Sequence, residues 1–261
     1  MRHQVQASEF GASLRDWRGR RRLSQLDLAL EADISARHIS FLETGRSQPS
    51  RAMVLRLCER LELPLQARNQ LLVAAGLAPQ YDARPADRTD MRPAHAAIDW
   101  MLERHHPYPA LTLDRHWRLV SLNGAARTLF AMVGLGEGDS MLDALCDNGP
   151  VAQSIENLDQ LRRYLAARLN TEIAHFGPDP VLQRGRDRML ALLSGSASAP
   201  DPQPAPSPVI PAIYSAGGMR LSLFSTISHF GTAEDVVLSE LRIELLFPAD
   251  EETRQALMAL A

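Results

Sequence analysis

The sequence predicts an all-α N-terminal domain followed by an α+β C-terminal domain. Three observations carry that expectation. The chain has 261 residues, and at roughly 100–200 residues per domain this points to two. Across residues 8–76 apolar side chains recur at helical spacing between polar joints. Beyond Pro93, strand-like alternation appears (ALTLD, HWRLVSLN) and returns near the end (RLSLFSTIS, ELRIELLF). A hydrophobic share of 45 % and a charged share of 23 % are ordinary for a folded protein and exclude disorder over most of the chain. With no run of about 18 apolar residues, no membrane span is expected. The opening MRHQVQASEF lacks the apolar core of a signal peptide, so a cytoplasmic location is expected. Cys58 and Cys146 lie in apolar helical contexts and read as small core residues, which leaves neither a disulfide framework nor a cysteine-rich zinc site.

Charge is divided unevenly. Residues 1–76 hold 12 Arg against 8 acids, a balance of +4, while the remainder stands at −7. All 28 basic residues are arginine, which removes lysine Schiff-base chemistry and the lysine of a phosphate loop. A mildly basic first domain suits nucleic acid.

Taken in order, the elements are these. Ser24 is a good N-cap, with Asp27 placed in the first turn where the helix dipole favours it. Leu28, Ala29 and Ala32 make an apolar stripe, Asp33 interrupts it, Ile34 plugs the turn and Ser35 caps a second short helix. On that helix Ile39 and Leu42 face inward, and Ala36, Arg37, Ser40 and Phe41 form the opposite face. This outer face holds no carboxylate and can enter a major groove without repelling phosphate. Gly45 ends the helix, and Arg46, Ser47 and Arg51 follow. Fourth and fifth helices are expected at 51–61 and 65–75, with Pro64 starting the fifth. Residues 77–93 read as a proline-rich, semi-stiff linker. Further on, a short helix surrounds Ile98, Met101 and Leu102, Asn123 opens another, and long helices fit 155–176 and 180–193. The stretch 194–211 holds six of the 17 prolines and is expected to be a mobile loop. A last helix should begin near Ala249.

The segment LSQLDLALEADISARHISFLETGRSQPS, residues 23–50, resembles the lambda-repressor-like helix-turn-helix domain of the xenobiotic-response-element (XRE) family. Ser24-Gln25, Leu28-Ala29, Ile34-Ser35, Ile39-Ser40, Leu42-Glu43 and Gly45-Arg46 sit at the family spacing. The resemblance implies that Gln25 meets phosphate at a helix N-terminus, that Ala36, Arg37 and Phe41 approach base edges, and that Arg18 pairs with Glu43. It makes double-stranded DNA the expected partner. The candidate DNA-binding set is Gln25, Ser35, Ala36, Arg37, Ser40, Phe41, Arg46, Ser47 and Arg51. Arg37 reads as a base reader, Phe41 either touches a thymine methyl or packs on the turn, and His38 lies off the reading face.

ALTLDRHWRLVSLNGAARTLF has the order of a PAS-type domain: strand, turn, strand, then Asn opening a helix. Together with NLDQLRRYLAARL and FSTISHFGTAEDVVLSELRIELLFPADEETR it resembles the MmyB-like regulators, whose C-terminal half is a PAS-like ligand-binding domain. That resemblance implies a small-molecule effector, with a fatty acid as the suggested class. The chain departs from the pattern in its Pro/Ser stretch and around residues 143–150. Leu111, Leu113, Trp117, Leu119, Phe130 and Leu145 are either cavity lining or plain core. An acyl carboxylate would need a donor, for which Tyr108, Arg163, Arg168 and His175 are available.

No catalytic motif is present: no His-Glu-x-x-His, Gly-x-Ser-x-Gly, Gly-rich phosphate loop or Cys-x-x-Cys. His95, His105 and His116 are too widely spaced for close metal ligation, and no cofactor or metal is expected. Two function classes stay open. One is a one-component transcription regulator, working as a homodimer, whose second domain binds an effector. The other is a DNA-binding protein whose second domain only dimerises or docks a partner.

Overall fold

A computed structural model describes residues 2–84, 88–195, 209–216 and 218–260. The chain divides into two compact units. One is built on the residues up to Ala83 with Glu172–Pro178 and Thr232–Ser239. The other is built on Arg84–Thr171, Asp179–Gly231 and Glu240–Ala261.

The first unit carries five helices: α1 (Arg2–Arg20), α2 (Gln25–Glu31), α3 (Ala36–Glu43), α4 (Arg51–Arg60) and α5 (Leu65–Ala74). Helical spacing puts Phe10, Leu14 and Trp17 of α1 on one stripe. They close a core with Leu28, Ile39, Leu42, Leu57 and Leu71. Three of the helix starts have a side-chain cap. Ser24 and Asp27 form a reciprocal capping box, Ser35 accepts from the His38 N–H, and Ser50 accepts from the Met53 N–H. Pro64 stands one position earlier than expected, as the N-cap of α5 rather than in its first turn; its missing N–H is harmless in either place.

The five helix ends share one closure. Arg22, Asp33, Gly45, Glu62 and Gly76 all have φ between 49° and 77°. The next residue in each case donates its N–H five residues back, as in Ile34 to Ala29 and Leu63 to Cys58, both near 3.0 Å or less. The first residues after α5 are held against it. Asn69 Oδ1 accepts from the backbone N–H groups of Gln80 and Tyr81, and its amide donates to the Tyr81 carbonyl. The expected linker also ends early, because Thr89–Met91 forms a 3-10 turn and α6 (Arg92–Arg104) starts there, with Pro93 tolerated in its first turn.

The second unit is α+β, as the sequence predicts. After α6 come β1 (Ala110–Leu113), β2 (Leu119–Leu122), α7 (Gly124–Ala131), α8 (Met141–Cys146), α9 (Pro150–Ser154), α10 (Leu158–Phe176) and α11 (Pro180–Gly195). They are followed by β3 (Ala212–Ala216), β4 (Met219–Ser228), α12 (Val236–Glu240, all but its last residue counted with the first unit), β5 (Arg242–Pro248) and α13 (Glu251–Leu260). The strands make one antiparallel sheet in the order β2-β1-β5-β4-β3. The last strand of the chain is thus the central one. His116 and Trp117, expected in a strand, lie in the turn before β2, where Asp114 Oδ1 accepts from the His116 and Arg118 N–H groups. Asn123 caps α7 and is buried. Its Oδ1 accepts from Ala110 and Ala126, and its amide donates to the carbonyls of Leu102 and Tyr108. All four hydrogen-bonding positions of that amide are filled, so one side chain ties α6, β1 and α7 together. Of the expected mobile loop at 194–211, residues 196–208 lie outside the described residues; α11 continues to Gly195.

Candidate DNA-reading face and effector cavity

In the first unit, α3 presents Arg37 exposed and Ser40 and Phe41 half-buried. The Arg37 guanidinium lies 5.2 Å from the Phe41 ring centroid and that of Arg46 lies 5.9 Å from it. Two cations therefore sit over one aromatic ring, an arrangement worth a modest attraction in water. The Phe41 carbonyl accepts from both Arg46 and Ser47 N–H groups, which fixes the chain leaving the helix. Four members of the candidate set are otherwise engaged. Ala36 packs against the core rather than standing clear of it. Ser35 spends its hydroxyl oxygen on the helix cap. Arg51 donates to the Ala78 carbonyl.

Gln25 is the fourth. Its amide donates to Glu43 at 2.8 Å, leaving one N–H for a phosphate. Glu43 itself is fully buried and is gripped by Arg18 through two hydrogen bonds of 2.6 and 3.0 Å, with Arg15 at 3.5 Å. Burial alone would push the Glu43 carboxyl up, but the hydrogen bonds from Arg18 and Gln25 and the charges of Arg18 and Arg15 outweigh it and hold the group below its ordinary value. The carboxylate beneath the reading helix is thus neutralised from within.

In the second unit a cavity of about 100 Å³ opens over one face of the sheet. Strand alternation builds that face: Leu111 and Leu113 from β1, Glu244 and Leu246 from β5, Leu223 and Ser225 from β4, Ala212 and Tyr214 from β3. Helix α10 crosses above with Leu161, Tyr164, Leu165 and Arg168, a spacing of three, four and seven that keeps all four on one side. Phe130, Met141, Leu145, Trp117 and Ile210 complete much of the wall.

Of the candidate ligand residues, the cavity brings together Leu111, Leu113, Trp117, Phe130, Leu145 and Arg168. It does not include Leu119, which is core, or Tyr108, which packs against that core beside His105. Arg163 also stays outside. It is exposed because it stands off the 161–164–165–168 stripe by more than a quarter turn. His175, on the same helix, is not part of the lining.

Sequence reasoning missed Glu244, Tyr214, Tyr164 and Ser225. The available signal was a carboxylate set between Ile243 and Leu245 in the RIELLF strand. Arg168 Nη2 meets Glu244 Oε1 at 2.7 Å, and its guanidinium lies 4.5 Å from the Trp117 ring, with Arg242 at 5.0 Å from the same ring. Trp117 reaches this place from a left-handed backbone, φ 62°. Burial, and then the charge of Glu244, pushes the Tyr214 phenol up to about 12. Among the described residues, no group of three His, Cys, Asp or Glu side chains could hold a metal ion, and no helix is long and apolar enough to cross a membrane.

Residues 9–71 match the helix-turn-helix domain family, and residues 94–260 match the family described as MmyB-like transcription regulator ligand binding domain. Among solved structures, the chain is similar to the clp gene regulator ClgR from Corynebacterium glutamicum. Identity there is 23 %, with 40 % of this chain and 96 % of that chain covered, at a TM-score of 0.25. No curated protein matches. The second family spans more than half of the chain and the first lies directly ahead of it. The chain therefore belongs to the DNA-binding transcription regulators that join a helix-turn-helix to an MmyB-like ligand binding domain.

Proposed function

We propose that the protein is a one-component regulator: an apolar small molecule enters the cavity above the sheet and sets the affinity of the helix-turn-helix for an operator. The observation that carries this reading is the cavity itself, an apolar space with a few convergent polar groups on the same chain as a DNA-reading helix. An acyl chain is one class of molecule that would suit such walls. On the DNA side, Arg37, Ser40 and Phe41 face base edges, while Ser35, Arg46 and Ser47 take phosphates. Gln25 and Arg51 contribute through whatever hydrogen-bonding capacity their protein partners leave. Ala36 permits close approach of α3 to the groove. Two copies act together, since one module reads few base pairs and a two-fold pair doubles the site. The protein works in the cytoplasm, where the DNA is.

Selecting tight-binding duplexes from a random pool, then measuring anisotropy of the winners with and without short alkyl ligands, tests the reading. A shared motif whose affinity moves on ligand addition is expected. A ligand must bind the two affinity states differently to shift anything. A motif whose affinity no alkyl ligand moves would leave the second domain as a dimerisation or docking module.

A further inference from the structure

Resting on the effector-cavity reading above, we propose that the ligand of this cavity carries an uncharged polar head, a hydroxyl, ester or carbonyl on an aliphatic chain, and not a carboxylate. The charges on the wall decide which head fits. Among the described lining residues Arg168 is the one cation and Glu244 the one carboxylate, and they already hold each other at 2.7 Å. Both are largely withdrawn from water, at 13 % and 12 % side-chain exposure. The aromatic face of Trp117 covers Arg168 as well. The pair sums to zero, so the cavity offers no surplus charge to balance an ion.

A carboxylate entering here must either share Arg168 with Glu244 or displace it. Sharing places two like charges side by side at a pair largely withdrawn from water. Displacement leaves Glu244 buried without its cation, on a central strand that cannot move away. An alkylammonium meets the same difficulty with the sign reversed, since its route to Glu244 runs against Arg168. A neutral head avoids both costs. It finds the phenols of Tyr164 and Tyr214 and the hydroxyl of Ser225 along the same wall, and Tyr214 stays protonated there. Size matters too. A closed cavity of about 150 Å³ takes a benzene; this one of about 100 Å³ opens to the surface, so a short chain lies partly within it.

The test compares ligands of one length on the full chain: 1-hexanol, hexanoate and hexylammonium, titrated by calorimetry near neutral pH. The alcohol is expected to bind at least about ten-fold more tightly than either ion. In Glu244→Gln, shown to be folded by circular dichroism before titration, hexanoate should gain about ten-fold because Glu244 no longer competes for Arg168. Hexanoate binding the unaltered protein as tightly as the alcohol would overturn the neutral head and leave the cavity reading standing. An unchanged hexanoate affinity in the folded variant would overturn the role given to Glu244. Binding of none of the three would overturn the cavity reading, and this inference with it.

Discussion

The Glu43 side chain has no exposed surface, yet Arg18, Gln25 and Arg15 all reach it. Removing it strands the Arg18 guanidinium, which is only 15 % exposed and keeps the Leu23 carbonyl as its other partner. Glu43→Ala is therefore expected to cost about 3 kcal/mol or more, read as a drop in melting temperature of the helical unit. The carboxyl is held below its ordinary value, so its contribution is fully present above the unfolded value, about 4.3. It fades as pH falls through the lower folded value. Melts of the parent and of Glu43→Gln should thus converge as the solution is acidified below about pH 4, and curves that stay parallel would remove Glu43 as the titrating group. Arg37 and Arg46 flank the same ring but should separate by function. Arg37→Ala is expected to cost about 1–3 kcal/mol on the selected duplex and relax preference at one base pair. Arg46→Ala should weaken all duplexes alike and flatten the salt dependence. Equal effects of the two would deny Arg37 its reading role.

At the scale of elements, the helix ends decide more than the helix interiors. Three of the five closures in the first unit place Arg22, Asp33 and Glu62 in the left-handed region, where a side chain costs about 1–2 kcal/mol. Glu62→Gly should therefore raise stability by about 1 kcal/mol, since Glu62 is exposed and its backbone carbonyl, which accepts from Arg21, is kept; a lower melting temperature would show that its side chain matters. Gly11 works the other way. A Cβ there would stand 2.5 Å from the Glu43 carbonyl oxygen and 2.7 Å from that of Leu42. These are backbone atoms and cannot swing aside. Gly11→Ala gains about 1 kcal/mol of helix propensity against an overpacking cost of about 3 kcal/mol, so net loss is expected, and an unchanged melt would mean that α1 can slide on α3. The helix starts were legible because Ser24, Ser35 and Asn123 act on atoms two or three residues away. Strand β3 was not, because AIYSA is short and its strand partner, β4, comes later in the chain. The cavity was half legible for the same reason. Trp117 and Arg168 announce themselves by type, whereas Tyr214, Ser225 and Glu244 meet them only after the sheet has ordered its strands.

For the whole molecule, assembly is the open consequence of reading DNA with one short helix. The full chain is expected to sediment as a dimer and to protect two half-sites on one face of the duplex, about 34 Å apart. A monomer with a single protected half-site would end that expectation. The three tryptophans also give the molecule an optical character. Trp17 is 6 % exposed in the helical core, Trp100 is 60 % exposed, and Trp117, on the cavity wall, is 3 % exposed with the guanidiniums of Arg168 and Arg242 over its ring. Indole emission shifts to the red where mobile water can relax around the excited ring and to the blue where fixed groups hold it. Trp100 should dominate the red edge and be quenched by iodide, while the light from Trp117 should be blue and shielded. With Trp100 replaced by Phe, whatever fills the cavity would change the colour of the remaining emission, so the chain carries in Trp117 a built-in gauge of its own occupancy.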